Sequence, residues 1–116
     1  MRIDGPALLA RIYIGESDRW DGRPLFEAIV EKLRASGIAG ATVLRGIEGY
    51  GRAARVHTAQ ILRLSEDLPI LIEIVDREDR LRAILPEIDA MVDGGLITLE
   101  HVEVIAYRSP APTEDS

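Results

Sequence analysis

The chain has 116 residues, and its 14 Lys and Arg against 20 Asp and Glu give a formal net charge of −6 at pH 7. This acidic balance and an aromatic content of only 4% argue against an extended nucleic-acid-binding surface. The sequence has no cysteine, and its two histidines, His57 and His101, lack metal-ligand spacing, so we expect neither a disulfide framework nor a metal site.

The first predicted elements are a strand and a helix. Apolar residues alternate with a period of two over residues 8–14, which predicts a strand with one face in a core. Residues 24–36 predict an amphipathic helix, because Pro24 stands where a helix would begin, Gly37 stands where it would end, and apolar residues recur between them at helical spacing. The apolar stripe of this helix must face a sheet.

A second strand is predicted over residues 42–47, and it leads into three closely spaced glycines. Gly46, Gly49 and Gly51 allow several backbone N–H groups to converge on one point, and Arg52 adds a planar cation at the end of the turn. This pattern indicates a cradle for a phosphate or a carboxylate. Glycines at the end of a strand also mark a bulge or a tight turn, which is the alternative interpretation.

Residues 53–66 have no clear period and receive no element. The β-branched run over residues 69–75 predicts a largely buried central strand, in which Glu73 must point outward, form an ion pair or serve a site. Asp76 and Asp79 have the spacing of a helix N-cap followed by a carboxylate three residues later. They therefore predict the start of a second helix.

The second helix is predicted to close at Gly94 and Gly95, after a clear apolar stripe. Pro86 lies inside it and removes one backbone hydrogen bond, which predicts a kink or a break near residues 82–85. Alternating apolar residues over 102–107 predict the last strand. The second half of the chain thus repeats the strand and helix types of the first half.

The order β-α-β-β-α-β predicts a ferredoxin-like fold of the α+β class, with a four-stranded antiparallel sheet and two helices on one face. On the opposite face, apolar side chains such as Leu9 and Tyr13 would meet water in a monomer. This exposure predicts association between copies of the chain.

Domain organisation is predicted to be simple. Residues 1–108 form one domain, and residues 109–116 have the small, proline-rich and acidic composition of a disordered tail. The N-terminus does not match a signal peptide, and no segment has the roughly 20 consecutive apolar residues that a bilayer span requires. We therefore expect a cytoplasmic protein.

Five segments occur in one order with short gaps: IYIGESD, RPLFEAIVEKLR, GIAGATVLRGIEGYG, LSEDLPILIEIVD and GLITLEHVEVI. Over residues 9–107 the sequence resembles the bacterial and archaeal family known as domain of unknown function 190, which is related in fold to the P-II nitrogen-regulatory signalling proteins. The resemblance implies a homotrimer that packs its sheet faces around a threefold axis. It also implies a small-molecule ligand, an adenine nucleotide, in clefts between subunits.

The resemblance also implies a set of ligand-binding residues. Gly49, Gly51 and Arg52 resemble the glycine-arginine element at the base of the P-II regulatory loop. Gly94 and Gly95, before the last strand, match the second loop of the P-II site. Arg108, at the end of that strand, matches one of its basic residues. The second loop is shorter than in P-II proteins, is acidic and lacks their lysine, which favours a monophosphate or another small anion over a triphosphate.

Residues 53–66 correspond to the mobile regulatory loop of P-II relatives, where Arg55 and His57 are the candidate contacts to a ligand or partner. No catalytic constellation is apparent, so we interpret the chain as a ligand sensor and not an enzyme. One alternative is a small enzyme in the same cleft, with Glu73 or His57 as acid or base. Another is a structural adaptor for a membrane transporter, since genes of the resembled family often lie near fluoride-channel genes.

Overall fold

The computed structural model describes residues 5–50 and 67–108. A small hairpin precedes the first helix, and the remaining strands form one sheet. The elements in chain order are β1 (Gly5–Gly15), β2 (Arg19–Trp20), β3 (Arg23–Pro24), α1 (Leu25–Ala35), β4 (Thr42–Arg45), β5 (Pro69–Asp76), α2 (Glu78–Met91) and β6 (Leu96–Val104).

The main sheet has the strand order β4-β5-β1-β6, and every neighbouring pair is antiparallel. Buried apolar side chains from one face of the central strands pack with the apolar stripes of both helices. The core includes Leu8 and Ile12 of β1, Ile72 and Ile74 of β5, Ile29 and Leu33 of α1, and Leu81 and Ile88 of α2. The predicted ferredoxin-like fold is confirmed.

Helix α1 matches its predicted bounds to within one residue at each end. It begins directly after Pro24, and it ends before Gly37, whose φ of 80° lies in the left-handed region that glycine adopts without strain. The Nζ atom of Lys32 lies 3.2 Å from Oε1 of Glu87, so an ion pair also joins α1 to α2.

Helix α2 differs from its prediction in two respects. It runs without a break through Pro86, which is exposed, so that water can bond the carbonyl group that loses its partner. The other predicted outcome, a kink near residues 82–85, stays a prediction. The N-cap is Arg77, which makes no side-chain capping bond, and not Asp76. The side chain of Asp76 is instead fully buried.

Strand β6 begins earlier than the sequence pattern indicated. It pairs with β1 from Leu96 opposite Tyr13 to Val104 opposite Gly5, so the predicted strand over 102–107 is wrong in both bounds. The register with β1, and not the alternation near the C-terminus, sets these bounds. Strand β4 similarly stops at Arg45, two residues short of its predicted end.

Several predictions lie outside the described residues. These are the cradle residues Gly51 and Arg52, the loop residues Arg55 and His57, and the tail over 109–116. Within the described part of the chain, no helix is long and apolar enough to cross a membrane. In that same part, no group of three or more His, Asp or Glu side chains is arranged to hold a metal ion.

Candidate functional site

The face of the sheet that points away from the helices carries an apolar row across all four strands. The strand registers place Leu44, Leu71, Tyr13 and Leu96 side by side. Leu44 is 47% exposed, Tyr13 38% and Leu96 55%, so most of this row meets solvent in the single chain. The predicted exposure of apolar groups on this face is therefore present at Tyr13, whereas Leu9 is only partly exposed.

A polar row lies beside the apolar row, with Thr42, Glu73, Arg11 and Thr98 opposite one another in register. Nε of Arg11 donates a hydrogen bond to Oε2 of Glu73 at 3.0 Å, and Nη1 of Arg11 lies 3.5 Å from Oε1 of Glu100. The hydrogen bond to Glu73 raises the pKa of Arg11 above its ordinary value. Of the three explanations for Glu73, the structure shows two, because the side chain points away from the core and forms an ion pair with Arg11.

The same face of the sheet contains a cavity of about 320 Å³. Its lining includes Ala39 and Gly40 from the α1–β4 connection, Thr42 of β4, Glu73 and Val75 of β5, and Tyr107 after β6. Strand β1 lies between β5 and β6 in the sheet. The chain after β6 must therefore turn toward β5 over this face, because Val104, Ala106 and Tyr107 line the same cavity as Thr42 of β4 and Glu73 and Val75 of β5.

The chemistry of the cavity favours an apolar ring that carries hydrogen-bond donors. Most of its lining is apolar, while the carboxylate of Glu73 and the hydroxyl of Thr42 come from directly opposed residues and offer acceptors side by side. A phosphate group would be repelled by the carboxylate. The cavity therefore suits the base of a nucleotide better than its phosphate.

The predicted ligand residues occupy two ends of the sheet. Gly49 lies against Pro69 at the start of β5, where an added Cβ would come within 3.1 Å of the proline Cγ. A Cβ on Gly95 would collide with the carbonyl oxygen of Tyr13, near the end of β1. Gly94 adjoins this position, whereas Arg108 follows the opposite end of β6.

Strand β6 has nine residues, which corresponds to a length of about 30 Å. Gly94 and Gly95 precede this strand, whereas Arg108 comes after it. A site that combined all three residues at one phosphate therefore requires residues from two chains. Such an arrangement would be consistent with the predicted location in a cleft between subunits.

The turn after β1 contacts residues on both sides of the segment 51–66, which lies outside the described residues. The backbone N–H of Glu16 donates to the carbonyl of Leu68 at 2.8 Å, and the N–H of Ser17 donates to Oδ1 of Asp67 at 3.1 Å. The carboxylate of Glu16 also forms an ion pair with Arg45. The base of the proposed regulatory loop is thus attached to the end of β1.

Sequence reasoning missed most of the cavity. Thr42 was assigned only to a strand, and the contributions of Ala39, Gly40 and Tyr107 were not anticipated. The antiparallel pairing of the ferredoxin-like order would have placed Thr42 near Glu73, but only if the register had been known. The connection after α1 and the segment after β6 carry no pattern that locates them in space.

Comparisons with known proteins agree with this fold. The model of the family DUF190, described as Uncharacterized ACR, COG1993, matches residues 7–104. A UPF0166 protein of Aquifex aeolicus (strain VF5) is 38% identical over 105 residues, which covers 90% of this chain and 98% of that protein.

Two solved structures also resemble the chain. A protein of Thermus thermophilus described as a PII-like signaling protein superposes with a TM-score of 0.61 at 20% identity, over 89% of this chain and 94% of that one. CPII of Thiomonas intermedia K12, solved bound to ADP, AMP and acetate, gives a TM-score of 0.56 at 17% identity, over 86% and 89% of the two chains. At these identities the likeness concerns the fold alone.

Proposed function

Because the chain belongs to the DUF190 family, we propose that it is a P-II-like signalling protein which binds an adenine nucleotide or a similar small anion in clefts between its subunits. The cavity beside Glu73 is the observation that carries this proposal. Its volume of about 320 Å³ lies in the range of small-molecule sites, and its apolar walls with few polar groups are typical of them. The ADP and AMP bound to CPII, a protein of similar fold, support the choice of ligand.

The base of the nucleotide would occupy the cavity, with its exocyclic amino group donating to Glu73 or Thr42. The negative charge of Glu73 directs the phosphate away from the cavity. We assign the phosphate to the cradle of Gly49 with Gly51 and Arg52, completed by Gly94, Gly95 and Arg108 across a subunit boundary. Ligand occupancy would be reported by the segment that contains Arg55 and His57.

Association of copies, which we propose to be a homotrimer, would cover the exposed apolar row. In the single chain the row leaves Leu44, Tyr13 and Leu96 in contact with water, although each is large and apolar. Packing this face against other copies removes that contact. Trimer formation would also supply the second chain that the phosphate site requires.

Binding is favoured over catalysis by the state of Glu73. This residue is the acid–base candidate within the described part of the chain, and its carboxylate already accepts a hydrogen bond from Arg11. The hydrogen bond holds the carboxylate in one orientation at the edge of the cavity. The carboxylate therefore serves well as a fixed hydrogen-bond acceptor.

The proposal is tested by calorimetric titration with AMP, ADP and ATP. We expect the wild type to bind at least one of them, and we expect Thr42→Val to weaken binding about tenfold, because it removes one acceptor from the cavity without changing the side-chain shape. Thr98→Val is the matched control, since Thr98 ends the same polar row on the far side of Arg11. Absence of heat with all three nucleotides would refute the proposed function.

A further inference from the structure

Asp76 is the one buried charged residue in the described part of the chain, with 0% of its surface exposed. On the same face of β5, the preceding positions are the core residues Ile70, Ile72 and Ile74. A further aliphatic residue would continue this pattern and avoid the cost of burying a carboxylate. The presence of Asp76 therefore calls for an explanation beyond packing.

Both oxygens of the Asp76 carboxylate accept backbone hydrogen bonds. Oδ2 accepts from the N–H of Ala39 at 3.0 Å, and Oδ1 accepts from the N–H of Arg77 at 2.7 Å. Arg77 is the N-cap of α2, so the positive end of the helix dipole lies beside the carboxylate. These contacts explain how the charge is accommodated without a cationic side chain.

The bond to Ala39 joins two segments that are 37 positions apart in the sequence. Ala39 and Gly40 belong to the connection between α1 and β4, and both line the cavity. Val75, the neighbour of Asp76 in β5, lines the same cavity from the sheet. Asp76 thus links two walls of the cavity, one formed by the α1–β4 connection and the other by strand β5.

A second hydrogen bond joins α2 to the α1–β4 connection. Nη1 of Arg80, in the first turns of α2, donates to the carbonyl oxygen of Gly37 at 2.9 Å. Gly37 precedes Ala39 by two residues. The junction of β5 and α2 therefore contacts the connection at two points, one through a carboxylate that accepts and one through a guanidinium that donates.

We propose that Asp76 is a positioning residue, which fixes the Ala39–Gly40 wall and so sets the width of the cavity. Asp76 does not touch the ligand and acts through Ala39. An aliphatic residue at position 76 would fill the same core space but leave the partly buried N–H of Ala39 without its acceptor. The consequence for ligand fit rests on the proposed function, whereas the fixing of the wall does not.

The test compares Asp76→Asn with Asp89→Asn. Both changes replace one carboxylate by an amide, but Asp89 is exposed on α2 and does not line the cavity. Hydrogen exchange of the Ala39 amide, followed by NMR, reports the wall directly. Titration with AMP and ADP, at a temperature where every variant is fully folded, reports its effect on binding.

We expect Asp76→Asn to accelerate exchange of the Ala39 amide and to weaken nucleotide binding about tenfold, because an amide can accept only one of the two bonds. Asp89→Asn should change neither. A purely structural role would lower the melting temperature of Asp76→Asn and leave its affinity in the folded state unchanged. Unchanged affinity in this variant, with wild-type binding intact, would overturn the positioning role.

The wild type alone provides a second criterion, which holds even if Asp76→Asn does not fold. Its Ala39 amide should exchange slowly; exchange at the rate of an exposed amide would overturn the proposal. If the wild type binds no adenine nucleotide, the proposed function fails, and the Ala39 exchange rates in wild type and variant still decide whether Asp76 fixes the wall.

Discussion

Arg11 and Glu73 face each other across β1 and β5, and their side chains are joined by a hydrogen bond of 3.0 Å at the centre of the face that points away from the helices. Each side chain is about one-third exposed. The pair has two consequences: it places two charges among the apolar side chains of this face, and it holds the Glu73 carboxylate in one orientation beside the cavity. Assembly and ligand binding would therefore involve the same face of the sheet.

The apolar row predicts a trimer at micromolar concentration. We expect Leu44→Glu and Leu96→Glu to shift the mass in sedimentation equilibrium from three chains toward the 12.8 kDa monomer, because a carboxylate in a packed interface loses its hydration. Trp20→Glu is the control, since Trp20 is 42% exposed but lies in the small hairpin outside the main sheet. A wild-type monomer at these concentrations would contradict the prediction.

The phosphate cradle requires a residue without a side chain at position 51 and a cation at position 52. Gly51→Val should abolish nucleotide binding, because a β-branched side chain blocks the backbone approach. Arg52→Ala should weaken it by about 1.5 to 3 kcal/mol, the range for a hydrogen bond to a charged group, with the melting temperature nearly unchanged.

Both cradle variants are compared with wild type by calorimetric titration, with Arg82→Ala as the control for loss of an exposed arginine. Arg82 pairs with Glu78 on α2 and is not one of the proposed cradle residues. If the glycines only shape a bulge, Gly51→Val would lower stability and Arg52→Ala would leave the affinity unchanged. Equal affinity in the Arg52 variant would thus exclude the cradle.

Gly95 is predicted to contribute to the stability of the fold whether or not it contacts a ligand. A Cβ at this position would collide with the backbone oxygen of Tyr13, which cannot move without disturbing β1. We expect Gly95→Ala to reduce the free energy of unfolding by about 1 to 3 kcal/mol in denaturant titrations. Gly40→Ala is the control, because its Cβ would meet no atom within 4 Å; equal losses in both variants would contradict the collision.

The elements with a strong local period were predictable from the sequence. The alternation in β1 predicted its type, although the strand begins three residues earlier than predicted, and Pro24 and Gly37 located the ends of α1 to within one residue. Strand β6 was misplaced because its start depends on its partner β1. Of the kink or break predicted at Pro86, the break does not occur, because the proline lies on the exposed side of α2, where water can bond the carbonyl group that loses its partner.

The cavity was less predictable than the fold for a related reason. Ala39 and Asp76 meet only because the α1–β4 connection folds back onto the end of β5. In the sequence, Asp76 has the pattern of a helix cap, and its burial became evident only from the packing around it. Residues that form a site through contacts of this kind carry no local signature.

Strands β4 and β6 are the outermost strands of the sheet, and among the described residues neither has a partner strand along its outer edge. Such an edge can recruit foreign strands and lead to aggregation. β4 offers only four residues for this, and Glu100 and Glu103 place carboxylates along β6. An isolated copy of the chain is therefore protected from edge-to-edge pairing by the shortness of β4 and the carboxylates of β6.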